Sequence, residues 1–150
     1  MEKKLALKQQ LVMLLVSMLV LSACGGRNED NLSKEDQQFI HRIVPLEKGE
    51  RIELFETNGG LKGFKTAGNF ITNQRLVHYW IDGRNDEINA IEYDQIDSLR
   101  AVDKTKVSRD ASYLQVYGSN QNNFKIYIDA DSARTWVFFN KAMENWKEKR

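Results

Sequence analysis

One cysteine, one proline and two histidines in 150 residues remove several readings at once. A lone cysteine, Cys24, cannot form a disulfide within the chain, so the fold must rest on its apolar core. His41 and His78 lie on different segments without a short-range partner, which offers little to a metal or to His-based acid–base chemistry. Ser98, Ser108, Ser112 and Ser119 have no nucleophile-elbow setting. Gly59, Gly60 and Gly63 lack the strand-to-helix context and the Lys-Ser/Thr ending of a phosphate loop. Asp82 with Asp86, and Asp94 with Asp97, read as turn residues, because a calcium loop needs more oxygen ligands at alternating positions. Neither charge dominates, with 22 basic and 21 acidic residues, so nothing points to nucleic acid or to a cationic partner. The expectation is a protein that is not an enzyme and holds no metal or cofactor.

What is present begins with a leader. Lys3, Lys4 and Lys8 precede an apolar run, Leu11 to Leu21, interrupted only by Ser17. Its eleven residues would span about 16 Å as a helix, roughly half a bilayer core. That is too short for a stable membrane span and fits the apolar region of a signal peptide. Leu21-Ser22-Ala23-Cys24 then resembles the lipobox of bacterial lipoproteins. The resemblance implies cleavage between Ala23 and Cys24, and a covalent diacylglycerol and N-acyl lipid on Cys24. Two or three acyl chains anchor stably where one is marginal. The resemblance places the protein in a bacterial cell envelope. With Gly25 after the cysteine, the outer membrane facing the periplasm is favoured in a Gram-negative host.

Removal of residues 1–23 takes three basic and one acidic side chain, leaving 127 residues with 19 basic and 20 acidic groups. That length suffices for one domain with a real core. Residues 24–33 read as a lipidated tether, whose seven residues from Gly25 to Asn31 have an r.m.s. reach of about 15 Å if flexible. Residues 34–46 read as a short helix and linker: Ser33 and Asp36 are spaced as a capping pair, Phe39, Ile40 and Ile43 form a stripe, and Pro45 ends it. Alternating strand patterns follow at 51–57, 63–71 (thinned by Gly63 and Gly68), 75–81, 87–93, 98–103, 113–117 and 124–128, with polar turns between them. In the third, Leu76, His78 and Trp80 face one way and Val77, Tyr79 and Ile81 the other. From Ala130, Trp136, Phe139, Met143 and Trp146 recur at helical spacing, with Ala133 and Val137 widening the face.

The order of these elements, mainly β with a closing helix, resembles a pleckstrin-homology-like domain and its bacterial GRAM-type relatives over about residues 47–147. Phe70-Ile71-Thr72-Asn73-Gln74-Arg75-Leu76 is similar to a hairpin common in such domains, and Ile91 to Leu99 is similar to the stretch that follows it. The resemblance implies an α+β fold over residues 47–150: a seven-stranded antiparallel barrel closed by a C-terminal amphipathic helix, with Trp136 in the plug. A lipocalin-like barrel is the alternative, but eight long strands fit this length poorly.

Relatives that bind phosphoinositides cluster Lys and Arg around the first hairpin. This chain offers only Lys62 and Lys65 there, so these two and Arg84 are the candidate contacts to an anionic surface. Aromatics that emerge together would form a protein-binding patch, and Trp146, near the end of the last helix, is the candidate partner contact. The functional expectation is a lipid-anchored, non-catalytic binding module for an envelope protein or peptide. The alternative is a barrel that binds a lipid or small ligand of the envelope. Besides the membrane reached through its anchor, a partner is expected but not identified, and the oligomeric state is left open.

Overall fold

The computed structural model describes residues 27–58, 60–106 and 110–150. The expected leader, with Ala23 and Cys24, lies outside the described residues. Helix α1 (Lys34–Ile43) starts where the Ser33 hydroxyl accepts the Asp36 N–H at 3.1 Å. Glu35 and Asp36 sit in its first turn and His41 and Arg42 in its last, each favoured by the helix dipole. Pro45 follows just after its C-cap, Val44.

The described residues contain seven strands: β1 (Ile52–Thr57), β2 (Ala67–Thr72), β3 (Arg75–Trp80), β4 (Glu87–Glu92), β5 (Ile96–Val102), β6 (Ser112–Gly118) and β7 (Asn123–Ile128). They form two antiparallel meanders, β1-β2-β3-β4 and β5-β6-β7. Helix α2 (Ser132–Lys149) follows, its first turn capped by the Asp131 carboxylate.

Two bulges settle which side chains point inward. Simple alternation would put Ile52 and Leu54 on one face. The register shifts between them, sending Leu54 into the space between the sheets and Ile52 to the opposite face with Phe55. A second shift between Ile96 and Ser98 lets Ile96 and Leu99 share the inner face despite their odd spacing.

The inter-sheet core packs Leu54, Ile71, Leu76 and Ile91 of the first sheet against Leu114, Val116, Phe124 and Ile126 of the second, with Phe138, Phe139 and Ala142 from α2. A second core covers the outer face of the first sheet. There Ile52, Phe55, Phe70, Val77 and Tyr79 meet Leu32, Ile40 and Val44 from the N-terminal segment. The centre of the first sheet is therefore covered on both faces: β2 has no exposed residue, while the edge strand β4 stays largely open.

Four expectations are corrected. Residues 60–65 form 3-10 turns rather than strand, with Gly63 at φ 67°. Gly68 lies within β2 and makes room for a neighbour: the Tyr79 ring lies across it, and a Cβ there would stand 2.6 Å from the Tyr79 hydroxyl. The expected tether is structured from Arg27, whose carbonyl accepts the Phe55 N–H at 2.6 Å, while the Glu29 carboxylate accepts the Ile52 N–H at 3.0 Å. The buried stripe of α2 is rotated from the aromatic one, running through Thr135, Phe138, Phe139, Ala142 and Asn145. Trp136 does not plug the barrel; it is 45% exposed, with its N–H on the Asp103 carboxylate. Thr135 and Asn145 occupy the buried stripe because backbone carbonyls satisfy them, at Ala130 and Thr72 respectively.

Gly68→Ala is expected to destabilise the protein by about 1–3 kcal/mol, the usual cost of overpacking, in chemical denaturation. Ile40 is fully buried, and Ile40→Ala should cost about 2–5 kcal/mol by the same measurement. An Ile40→Ala protein as stable as the parent would show α1 to be an accessory.

Candidate binding site at the rim of the barrel

The inner face of the first sheet changes character along its length. Register pairs Leu54 with Ile71, Ile71 with Leu76, and Leu76 with Ile91, an apolar rank inside the core. The next rank is polar: Glu56 opposite Asn69, Asn69 opposite His78, and His78 opposite Asn89. The last, Ala67 opposite Trp80 and Trp80 opposite Glu87, forms the rim.

Burial obliges the polar rank to find partners. Glu56 is 2% exposed and receives a two-pronged contact from the Arg134 guanidinium of α2. Asn69 donates its amide N–H to the Tyr127 carbonyl of β7, and Asn58 donates to the same oxygen. These amides stitch the two sheets together where no strand pairing joins them. With its Nδ2 so engaged, Asn69 presents Oδ1 to His78 Nδ1 at 2.7 Å. That oxygen can only accept, so the network assigns the proton to Nδ1 and leaves Nε2 as an acceptor. Among the described residues Nε2 has no hydrogen-bond partner, and no partnerless side-chain polar atom is sealed from solvent. It therefore faces open space.

That space is a pocket of about 500 Å³ lined by Asn58, His78, Trp80, Glu87, Tyr127 and Asp129. Trp80 is 44% exposed and, beside Asp82, opens the β3–β4 turn. The turn beneath it is fixed by carboxylates: Asp86 accepts the N–H groups of Asp82 and Gly83, and Asp82 those of Arg84 and Asn85. Burial holds the His78 pKa below its ordinary value, and the nearby Glu87 carboxylate opposes this only in part. The imidazole is accordingly neutral at physiological pH.

The far end of the barrel is a structural lock. The Asn145 amide donates to Glu53 at 2.9 Å and to the Thr72 carbonyl at 3.1 Å, tying α2 to β1 and to the end of β2. Burial pushes the Glu53 carboxyl up, but hydrogen bonds from Asn145 and Lys141, with the charges of Lys141 and Arg51, hold it below the usual carboxylate range. Glu50 behaves alike: burial raises it, and Arg75, the Glu47 amide and Thr72 together bring it lower.

The residues singled out from sequence do not converge. Lys65 is paired with Glu35 at 2.6 Å beside α1, Arg84 lies in the exposed β3–β4 turn, and the Lys62 side chain is outside the described residues. Trp146 is not an exposed contact. It is half-buried against the inter-sheet core and donates its N–H to the Ile96 carbonyl at 3.0 Å. His78 had a local signal as a polar residue on a strand. Its role depends on Asn69 and Tyr127, the latter 58 positions from Asn69, a pairing no local pattern shows.

Because His78 stays neutral in the fold but protonates when unfolded, its burial weakens the fold as pH falls below its ordinary value of 6.5. Glu50 and Glu53, held below 4.5, begin to cost stability only lower down. Between these values unfolding free energy should decline with pH in the parent and decline less in His78→Gln, as followed by urea melts.

No protein-family model and no curated protein matches the chain. Among solved structures, it is similar to a DUF1696 family protein with a pleckstrin-homology domain from Shewanella loihica PV-4. The TM-score is 0.51 at 14% identity, covering 81% of this chain and 97% of that one. At that identity the likeness concerns the fold alone. The domain has a pleckstrin-homology-like fold: two antiparallel sheets of seven strands in total, closed by a C-terminal helix.

Proposed function

We propose that the chain is a lipid-anchored protein of a bacterial envelope whose pleckstrin-homology-like domain binds a protein or peptide without catalysis. The observation that carries this reading is the rim pocket, where an exposed Trp80 stands over a rigid, hydrogen-bonded polar rank. Aromatic side chains on a preorganised wall are the usual anchors of protein recognition. Elsewhere the buried carboxylates Glu50 and Glu56 are committed to Arg75 and Arg134 as structural pairs. The space between the sheets is filled by Leu114, Ile126, Phe138 and other buried side chains, which favours recognition at the rim over a lipid carried inside.

The anchor enters through Cys24. Arg27, three positions later, is bonded to β1. Three residues of extended chain reach about 10 Å, so a lipid on Cys24 would hold the β1 edge close to the bilayer.

Two experiments test the two halves of the proposal. Cys24→Ala should move the protein from the membrane pellet to the soluble fraction or leave an uncut precursor; unchanged attachment and mobility overturn the anchor. Trp80→p-benzoylphenylalanine, photolysed in intact membranes, should give discrete adducts to protein. Adducts to lipid alone would overturn the binding-module reading in favour of a lipid-binding barrel.

A further inference from the structure

Three acceptors meet at the rim pocket, on His78, Glu87 and Asp129. Asn58 is used at both ends, donating to the Tyr127 carbonyl and accepting the Asp129 N–H at 3.3 Å. One Glu87 oxygen accepts from Asn89 at 2.6 Å, leaving the other available. The exposed Asp129 carboxylate lines the same pocket. His78, only 8% exposed, turns its Nε2 lone pair into the pocket. No lysine or arginine is among the described residues that line it. An anion would face two carboxylates there, and an apolar ligand would leave three acceptors unpaired at a desolvated site.

We infer that this pocket binds the cationic head of a basic side chain, with Glu87 and Asp129 providing charge, His78 Nε2 accepting an N–H, and Trp80 forming the aromatic wall. The chemistry is that of a primary ammonium, which brings three donors to three acceptors and is attracted to an indole face. About 500 Å³ accommodates the head with its aliphatic stem. The inference rests on the reading that the rim is the binding surface, and names what it recognises. The shared chemistry has two sources, a lysine within a partner protein or a free polyamine.

The test follows the Trp80 indole resonance of the full-length chain, labelled with ¹⁵N-tryptophan, during titration. The probes are a short peptide with one central lysine, the same peptide acetylated on that lysine, 1,5-diaminopentane and inorganic phosphate. The lysine peptide should move the resonance saturably with a dissociation constant on the order of millimolar, and acetylation should weaken it at least about tenfold. Glu87→Gln, an exposed substitution, should weaken it several-fold. A peptide that binds more tightly than the diamine assigns the source to a partner protein, and the reverse assigns it to a polyamine; either supports the inference. Equal binding of the acetylated peptide, a saturable response to phosphate, or no saturable response to either amine overturns it. If no amine binds while photolysis at position 80 still captures protein, the ammonium assignment fails and the binding-module reading stands.

Discussion

The polar rank on the inner face of the first sheet is the constraint from which the site follows. Glu56, Asn69, His78 and Asn89 stand side by side across four strands, where a purely apolar barrel would have continued its core. The buried three, Glu56, Asn69 and His78, must be satisfied, and the first two solutions each fix another part of the molecule. Glu56 calls in Arg134 and so places the first turn of α2. Asn69 reaches the Tyr127 carbonyl and closes the seam between the sheets. Having done so, it has only an acceptor to offer His78, which fixes the imidazole's tautomer and direction. The pocket is what remains open after those requirements are met.

The rank can be held in register because its sheet is immobilised on both sides. The inter-sheet core holds the inner face, and α1 with the segment from Arg27 holds the outer one. Tyr79 shows the coupling: it crosses Gly68, meets the Phe39 ring, and donates its hydroxyl to the Phe64 carbonyl at 2.6 Å. One side chain thus ties β2, β3, α1 and the turn before β2. Positioning the site on strands rather than on loops gives it the rigidity that recognition by a few convergent groups needs.

Much of this was legible in the sequence, for reasons that can be stated residue by residue. The alternation of Leu76, His78 and Trp80 against Val77 and Tyr79 assigned β3 and both of its faces. The Ser33 cap marked the start of α1, whereas α2, expected from Ala130, begins at Ser132 behind the Asp131 cap. The bulges at Ile52 and Ile96 were invisible, because period-two patterning carries no information about an inserted residue. The buried face of α2 was misjudged because hydrophobicity favours Trp136 over Thr135 and Asn145, whereas partners elsewhere in the chain decide which polar side chain can be buried. The site lay further from reach, since Asn58, His78, Glu87 and Asp129 come from four separate segments and carry no motif. The lysines suggested by resemblance drew attention to the first hairpin; the pocket that the fold builds has acceptors instead.

The site turns on the protonation state and direction of one imidazole, and a long-range ¹H–¹⁵N correlation spectrum of the histidines measures both. At neutral pH it should show His78 as a neutral ring with its proton on Nδ1 and an unprotonated Nε2, unlike the mixed tautomers of a freely solvated histidine. A ring protonated on Nε2, or an imidazolium at that pH, would contradict the polar rank as described and remove the acceptor on which the site is built.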